Sequence, residues 1–177
     1  MGKDLGTTNL SVHDSTFQGI YRGKVEDNND PLQLGRIKVR IYPMLSGVET
    51  TLLPWAIPMY PIWDGSGSGF GYFAIPKVDS FVYVMFEQGD IYQPIYIGEA
   101  PTGTMGLPSE RTTNYPDRKV IRTKSGIEFI IDDSDEEIKV NHPSGTYITV
   151  GSDGAVTVNS QAVVTIVGTS VSINPII

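Results

Sequence analysis

At 177 residues, with 13 Lys and Arg against 20 Asp and Glu for a net charge of -7, the chain is long enough for one ordinary domain, or for a small domain with an elongated appendage. That balance sets the molecule as a whole against nucleic-acid phosphates and anionic membranes, so binding either would need a local basic patch. The absence of cysteine excludes a disulfide framework, a cysteine metal site and a thiol nucleophile.

The first sixteen residues, rich in Gly2, Gly6, Thr7, Thr8 and Asn9, predict a polar flexible or docking arm. They carry neither the basic region nor the apolar run of a secretory signal. Gly6 also stands where the N-myristoylation pattern wants Ser or Thr. The greasiest stretch, "LLPWAIPMYPIW", is cut by Pro54, Pro58 and Pro61, so no helix spanning a bilayer is expected and the chain reads as soluble.

Residues 17–100 predict about five strands and no helix: "GIYRGKV", "GRIKVRIY", "LPWAIPMYPI", "GYFAIP", "SFVYVMF" and "PIYIGEA" are separated by turn signals such as "EDNNDP" and Gly89-Asp90. In "SFVYVMF" both faces are apolar, with Phe81, Tyr83 and Met85 on one side and Val82, Val84 and Phe86 on the other. Such a strand is buried on both sides or lies in a barrel wall. "RIKVRI" alternates Arg36, Lys38 and Arg40 with Ile37, Val39 and Ile41, which puts three cations on one face.

A stretch rich in Pro, Gly and Thr, residues 101–119, predicts a linker. Beyond it, 120–177 holds six short β runs centred near 129, 139, 148, 156, 165 and 172, in the manner of a degenerate solenoid or meander. Gly154 to Ile177 contain no charged residue. Val156 and Val158, then Val171 and Ile173, alternate with small polar residues, giving each strand a face to bury and an edge to pair. With no helix to cover them, these strands predict obligate oligomerisation, most simply as a threefold prism packed on those four residues.

Catalytic material is sparse. His13 lies in the arm and His142 in the turn "NHPSG", and neither placement suits an acid–base pocket. The acidic run Asp132 to Glu137 lacks the order of a calcium loop. "GSGSGFG" fits neither phosphate-loop spacing and precedes a strand-like segment, so it reads as a loop between strands. No enzyme activity, cofactor or metal is expected. A small β barrel with Arg36, Lys38, Arg40 and neighbouring Tyr42, Trp55, Tyr60 and Trp63 could serve a single-strand nucleic-acid binder. The net charge opposes that alternative, as does the clustering of those aromatics among prolines; the plain alternative pairs the cations with acids such as Glu26 and Glu87 across strands.

An ordered set of motifs goes further. A Gly-x-Val opening strand (Gly23, Val25) precedes Asp30, Pro31, Gly35, Arg36 and Val39; then come Trp55-Ala56, a Gly-rich loop before Phe73 and Pro76, and a closing series of Phe86, Gly89, Asp90, Pro94 and Gly98. Together they resemble the OB-fold domain of the central spike proteins of contractile injection systems. The later "SGIEFIID", "PSG" and "DGAV" resemble the start of that family's trimeric β-helix. The resemblance covers about residues 17–158. It implies an all-β chain: an OB-fold barrel over 17–100, then a short intertwined trimeric β-helix or β-prism over 120–177. The implied molecule is a homotrimeric virion protein of a tail baseplate, assembled in the host cytoplasm, attached to a hub protein and driven into the host envelope. Arg36, Lys38 and Arg40 are then expected at a hub or subunit contact. The gap between the two parts is too short for the lysozyme domain of the T-even spike, and no His-x-His apex motif is present. A blunt end or a separate tip protein is therefore implied.

Overall fold

The computed structural model describes residues 17–61, 69, 71–103 and 106–172. The arm, with His13, most of the glycine-rich loop, Trp63 and Ile173 lie outside the described residues. The chain divides into two compact units at Gly106 and Leu107, inside the stretch read as a linker. Among the described residues there is no α-helix.

The first unit is a closed five-stranded barrel. Its strands are β1 (Tyr21–Asp27), β2 (Ile37–Ile41), β3 (Trp55–Pro58), β4 (Phe81–Phe86) and β5 (Pro94–Glu99). They run in the order β1-β2-β3-β5-β4, with β4 returning to β1. All neighbours are antiparallel except β3 and β5. Inward positions follow the two-residue period of each strand: Val25; Ile37, Val39 and Ile41; Ala56; Val82, Val84 and Phe86; and Tyr96 form one buried core with Leu45 and Leu53. "GYFAIP", expected as a strand, is irregular over residues 71–76; Pro76 supplies no ladder donor, and the segment instead folds back on Tyr60 through ring contacts with Tyr72 and Phe73.

The turn between β1 and β2 is organised by one carboxylate. Asp30 accepts backbone N–H bonds from Leu32 (3.0 Å), Leu34 (2.8 Å) and Arg36 (3.3 Å). It also takes a two-pronged contact from the Arg36 guanidinium, at 3.1 and 2.6 Å. Arg36 and those N–H donors outweigh burial and hold the Asp30 carboxyl well below the usual carboxylate range. Gly35 sits at φ 78°, and a Cβ there would lie 2.6 Å from the Tyr60 hydroxyl, so both conformation and space demand glycine. The Tyr96 hydroxyl donates to the Gly35 carbonyl at 2.7 Å, tying the turn to β5.

The second unit is an antiparallel meander: β6 (Arg118–Arg122), β7 (Glu128–Asp132), β8 (Glu137–Asn141), β9 (Tyr147–Val150) and β10 (Val156–Asn159). Residues near 165 and 172 form no strand in the single chain, correcting the expected six runs; the sheet ends at β10. Ahead of β6, Ser109–Thr112 make a 3-10 turn whose Glu110 pairs with Arg122. Asp132 is buried. Burial alone would raise its pKa, but bonds from Arg118, the Asp135 N–H and Asn114 win and lower it.

Two outcomes are expected. Both tryptophans lie in the first unit, so Trp fluorescence reports barrel melting. A depressed folded-state pKa gives stability that is complete above the unfolded value of about 3.9 and is lost as pH falls through the folded value. The melting temperature should be level from pH 7 to about pH 5 and fall below that. Asp30→Asn should melt several degrees lower at pH 7 and show a shallower acid-side fall; an unchanged melting temperature would contradict the assigned role. At Gly23, a Cβ would come 2.3 Å from Val39 Cγ1. Gly23→Ala should therefore cost roughly 1–3 kcal/mol by overpacking, read as a lower urea midpoint with the same slope.

Candidate functional site

Lys38 and Arg40 of β2 and Arg36 just ahead of it share the outer face of the barrel, and each is engaged inside its own chain. Arg36, beyond its bond to Asp30, lies 5.4 Å from the Trp55 ring centroid, and Lys38 Nζ lies 5.0 Å from the same ring. Lys38 Nζ donates to the carbonyls of Thr50 and Thr51, at 3.2 and 2.6 Å. Arg40 donates to Glu26 Oε1 (3.1 Å), to the carbonyls of Leu45 (3.0 Å) and Val48 (2.6 Å), and to Thr50 Oγ1 (2.9 Å). Only 19% of the Arg36 side chain and 11% of the Arg40 side chain are exposed, and Lys38 is 8% exposed. What they build is a stitched loop: residues 45–51 are held across β2 by charge-assisted bonds to backbone carbonyls. Of the two acids named as cross-strand partners, Glu26 is one and Glu87 is not among the partners of these cations. Many of the donors expected at a hub or subunit contact are engaged within the chain.

The second unit presents the opposite situation. Register aligns Ile121, Phe129, Val140, Ile148 and Val158 in one cross-strand row. A second row on the same face runs from Lys119 through Ile131, Ile138 and Val150 to Val156. The nine hydrophobic side chains of these rows are between 37 and 68% exposed. The reverse face carries Arg122, Glu128, Asn141, Tyr147 and Asn159 in one row, and Val120, Ile130, Lys139, Thr149 and Thr157 in another. The sheet thus has one largely polar side and one continuous apolar side that stays exposed among the described residues.

Val156 and Val158, expected to pack a trimeric core, lie on this apolar face. Val171 is 55% exposed and belongs to no strand, and Ile173 falls outside the described residues. The other seven residues of the face were not singled out from sequence, although the two-residue alternation of "EFII", "EIKV" and "YITV" carries six of them; the seventh, Ile121, lies in β6. At the β6 edge, Lys119 interrupts the second row and pairs with Asp133, a charge where an open edge would otherwise invite pairing. His142 accepts the Ser144 N–H at 3.2 Å, and its Nδ1 lies 2.8 Å from Ser144 Oγ, in an exposed turn. The described residues contain no group of three or more His, Asp or Glu arranged to hold a metal ion.

Comparison with known proteins bears on the barrel. The family described as the type VI secretion system/phage-baseplate injector OB domain matches residues 21–100, from the first residue of β1 to just past β5. The pre-baseplate central spike protein Gp5 of Enterobacteria phage T4 is 37% identical over 60 residues, which are 29% of this chain and 10% of Gp5. The match therefore spans about a tenth of the length of that relative. With the strand order, the Asp30 turn and this match in agreement, the barrel of residues 21–100 is similar to the injector OB domain of type VI secretion systems and phage baseplates.

Proposed function

We propose that this chain is the central spike of a phage tail or related injection particle: a non-enzymatic homotrimer whose barrel attaches to a baseplate hub and whose second unit forms the stiff part that crosses the host envelope. The observation that carries the reading is the uncovered apolar face of the second sheet, joined in one chain to an injector-family OB domain. A five-stranded sheet with nine half-exposed hydrophobic residues on one side is not a stable end state in water. Copies of the same face are the natural cover. Three sheets closed into a prism hide every apolar row and bring the charge-free β10 edge beside another chain. A two-sheet sandwich would hide the rows but leave that edge open. Residues 161–172 favour the closed form as well, since Val163, Ile166 and Val167 are at least 70% exposed without a strand to join.

Stiffness follows from that arrangement, because paired edges and a dry centre resist bending and local opening. Spike function then needs no chemistry from the chain. The assembly in host cytoplasm and the place in the virion belong to the same proposal. A nucleic-acid role would have to draw on Arg36, Lys38 and Arg40, whose donors already hold carbonyls and carboxylates.

Light scattering on the full chain should give three times the 19.3 kDa mass of one chain, persisting at dilution. Ile138→Asp, which buries a charge in the proposed centre, should shift the particle to single chains while the Trp fluorescence of the barrel stays native. A wild-type chain of single or double mass would overturn the reading.

A further inference from the structure

The barrel itself is two-sided. Outward positions on β1 and β2 are charged: Arg22, Lys24 and Glu26 on one strand, Lys38 and Arg40 on the other. The outward positions of β3, β5 and β4 are not. There Ile57 (44% exposed), Ile97 (36%) and Tyr83 (38%) face solvent beside the half-buried Ile95 and Met85. Register makes them neighbours: Ile57 lies opposite Ile95, Ile95 opposite Met85, and Tyr83 opposite Gly98. These three strands contain no Lys, Arg or Asp, and their single Glu, Glu99, ends β5. Antiparallel walls that face only water alternate apolar and polar positions. Here the alternation is lost on three adjacent strands, and Arg22 closes over one border, its guanidinium 5.7 Å from the Tyr83 ring centroid.

Size decides what covers this wall. Three strands spaced about 4.8 Å apart and about five residues long give a footprint of roughly 250 Å². A separate protein binding stably needs roughly 800 Å² per partner. A patch this small associates when its partners are already held together, because tethering replaces a bimolecular step with an intramolecular one. Other copies of this chain, joined through the second unit, meet that condition. Resting on the self-association proposed above, we infer that the β3-β5-β4 wall is a contact between barrels of neighbouring copies, in which Ile57, Ile95 and Ile97 pack against the same wall of the other chains. The charged β1-β2 side faces outward in that assembly.

The absence of cysteine makes the test direct, since a single introduced thiol is unique. Ile97→Cys and, as control, Lys24→Cys on the charged side are each treated with a short bismaleimide, and the products are resolved on a denaturing gel. Ile97→Cys should give linked chains at least about tenfold more efficiently than Lys24→Cys, as the effective concentration across a tethered contact requires. It should also react slowly with a monofunctional maleimide. Three-chain particles in which Ile97→Cys stays unlinked and reacts freely would overturn the inference, leave the spike reading standing, and mark the wall as open to a different protein. Single-chain particles in light scattering would remove the spike reading and this inference with it.

Discussion

The carboxylate of Asp30 fixes more of this molecule than any other single group. By accepting three backbone N–H groups and both prongs of Arg36, it sets where the chain stops turning and β2 begins. A one-residue slip there would carry Ile37, Val39 and Ile41 out of the core and the cations into it. With that register fixed, Lys38 and Arg40 point outward and gather the carbonyls of residues 45–51. The loop is thereby laid along the strand, delivering Trp55 to a position beside Arg36 and Lys38 and Ala56 to its place opposite Ile37. Turn, strand phase, loop course and the start of β3 are one causal series. It begins with an ion pair whose partners are largely out of water, where charge-assisted bonds are strong and the loss of either partner leaves an uncompensated charge.

The two units solve the same problem differently. Closing a sheet on itself removes every edge and hides one face, so the barrel keeps its core without help. The meander of the second unit keeps two edges and an uncovered apolar face. Its polar side is rich in ion pairs, with Arg118, Asn114 and the Asp135 N–H converging on Asp132, and Arg122 reaching Glu110 and Glu128. That contrast assigns the sides: the face rich in ion pairs suits water, and the face rich in β-branched residues suits other copies.

Much of this was legible in the residues. Short β runs between turn signals marked the barrel strands, alternation separated the two faces of "RIKVRI", and the doubly apolar "SFVYVMF" marked a wall strand. What the sequence could not disclose were the partners of the cations. Apart from Asp30 and Glu26, their acceptors are mostly backbone carbonyls of residues 45–51, and a carbonyl leaves no compositional trace. A basic face read from alternation alone therefore looked free when it was engaged. "GYFAIP" misled for a related reason: its composition is that of a strand, but aromatic packing on Tyr60 outweighed a ladder it had no edge to join. Alternation carries eight of the nine positions of the second sheet's apolar face; at Ile121 the neighbouring Val120 blurs it, and Val156 and Val158 stand out because their strand lies in the charge-free tail.

That tail sets the final constraint. Residues 161–172 carry only apolar, glycine and uncharged polar residues, yet they hold no strand in the single chain. A strand needs a neighbouring edge, and β10, whose inner edge is taken by β9, has only its outer edge to offer. Ordering such a segment costs on the order of 1–2 kcal/mol of backbone entropy per residue, a cost that only an external partner can offset. In the proposed spike, the order of this segment would be linked to assembly: an edge left open in one chain would become, once other copies supply partners, part of the hydrogen bonding that keeps the shaft from fraying.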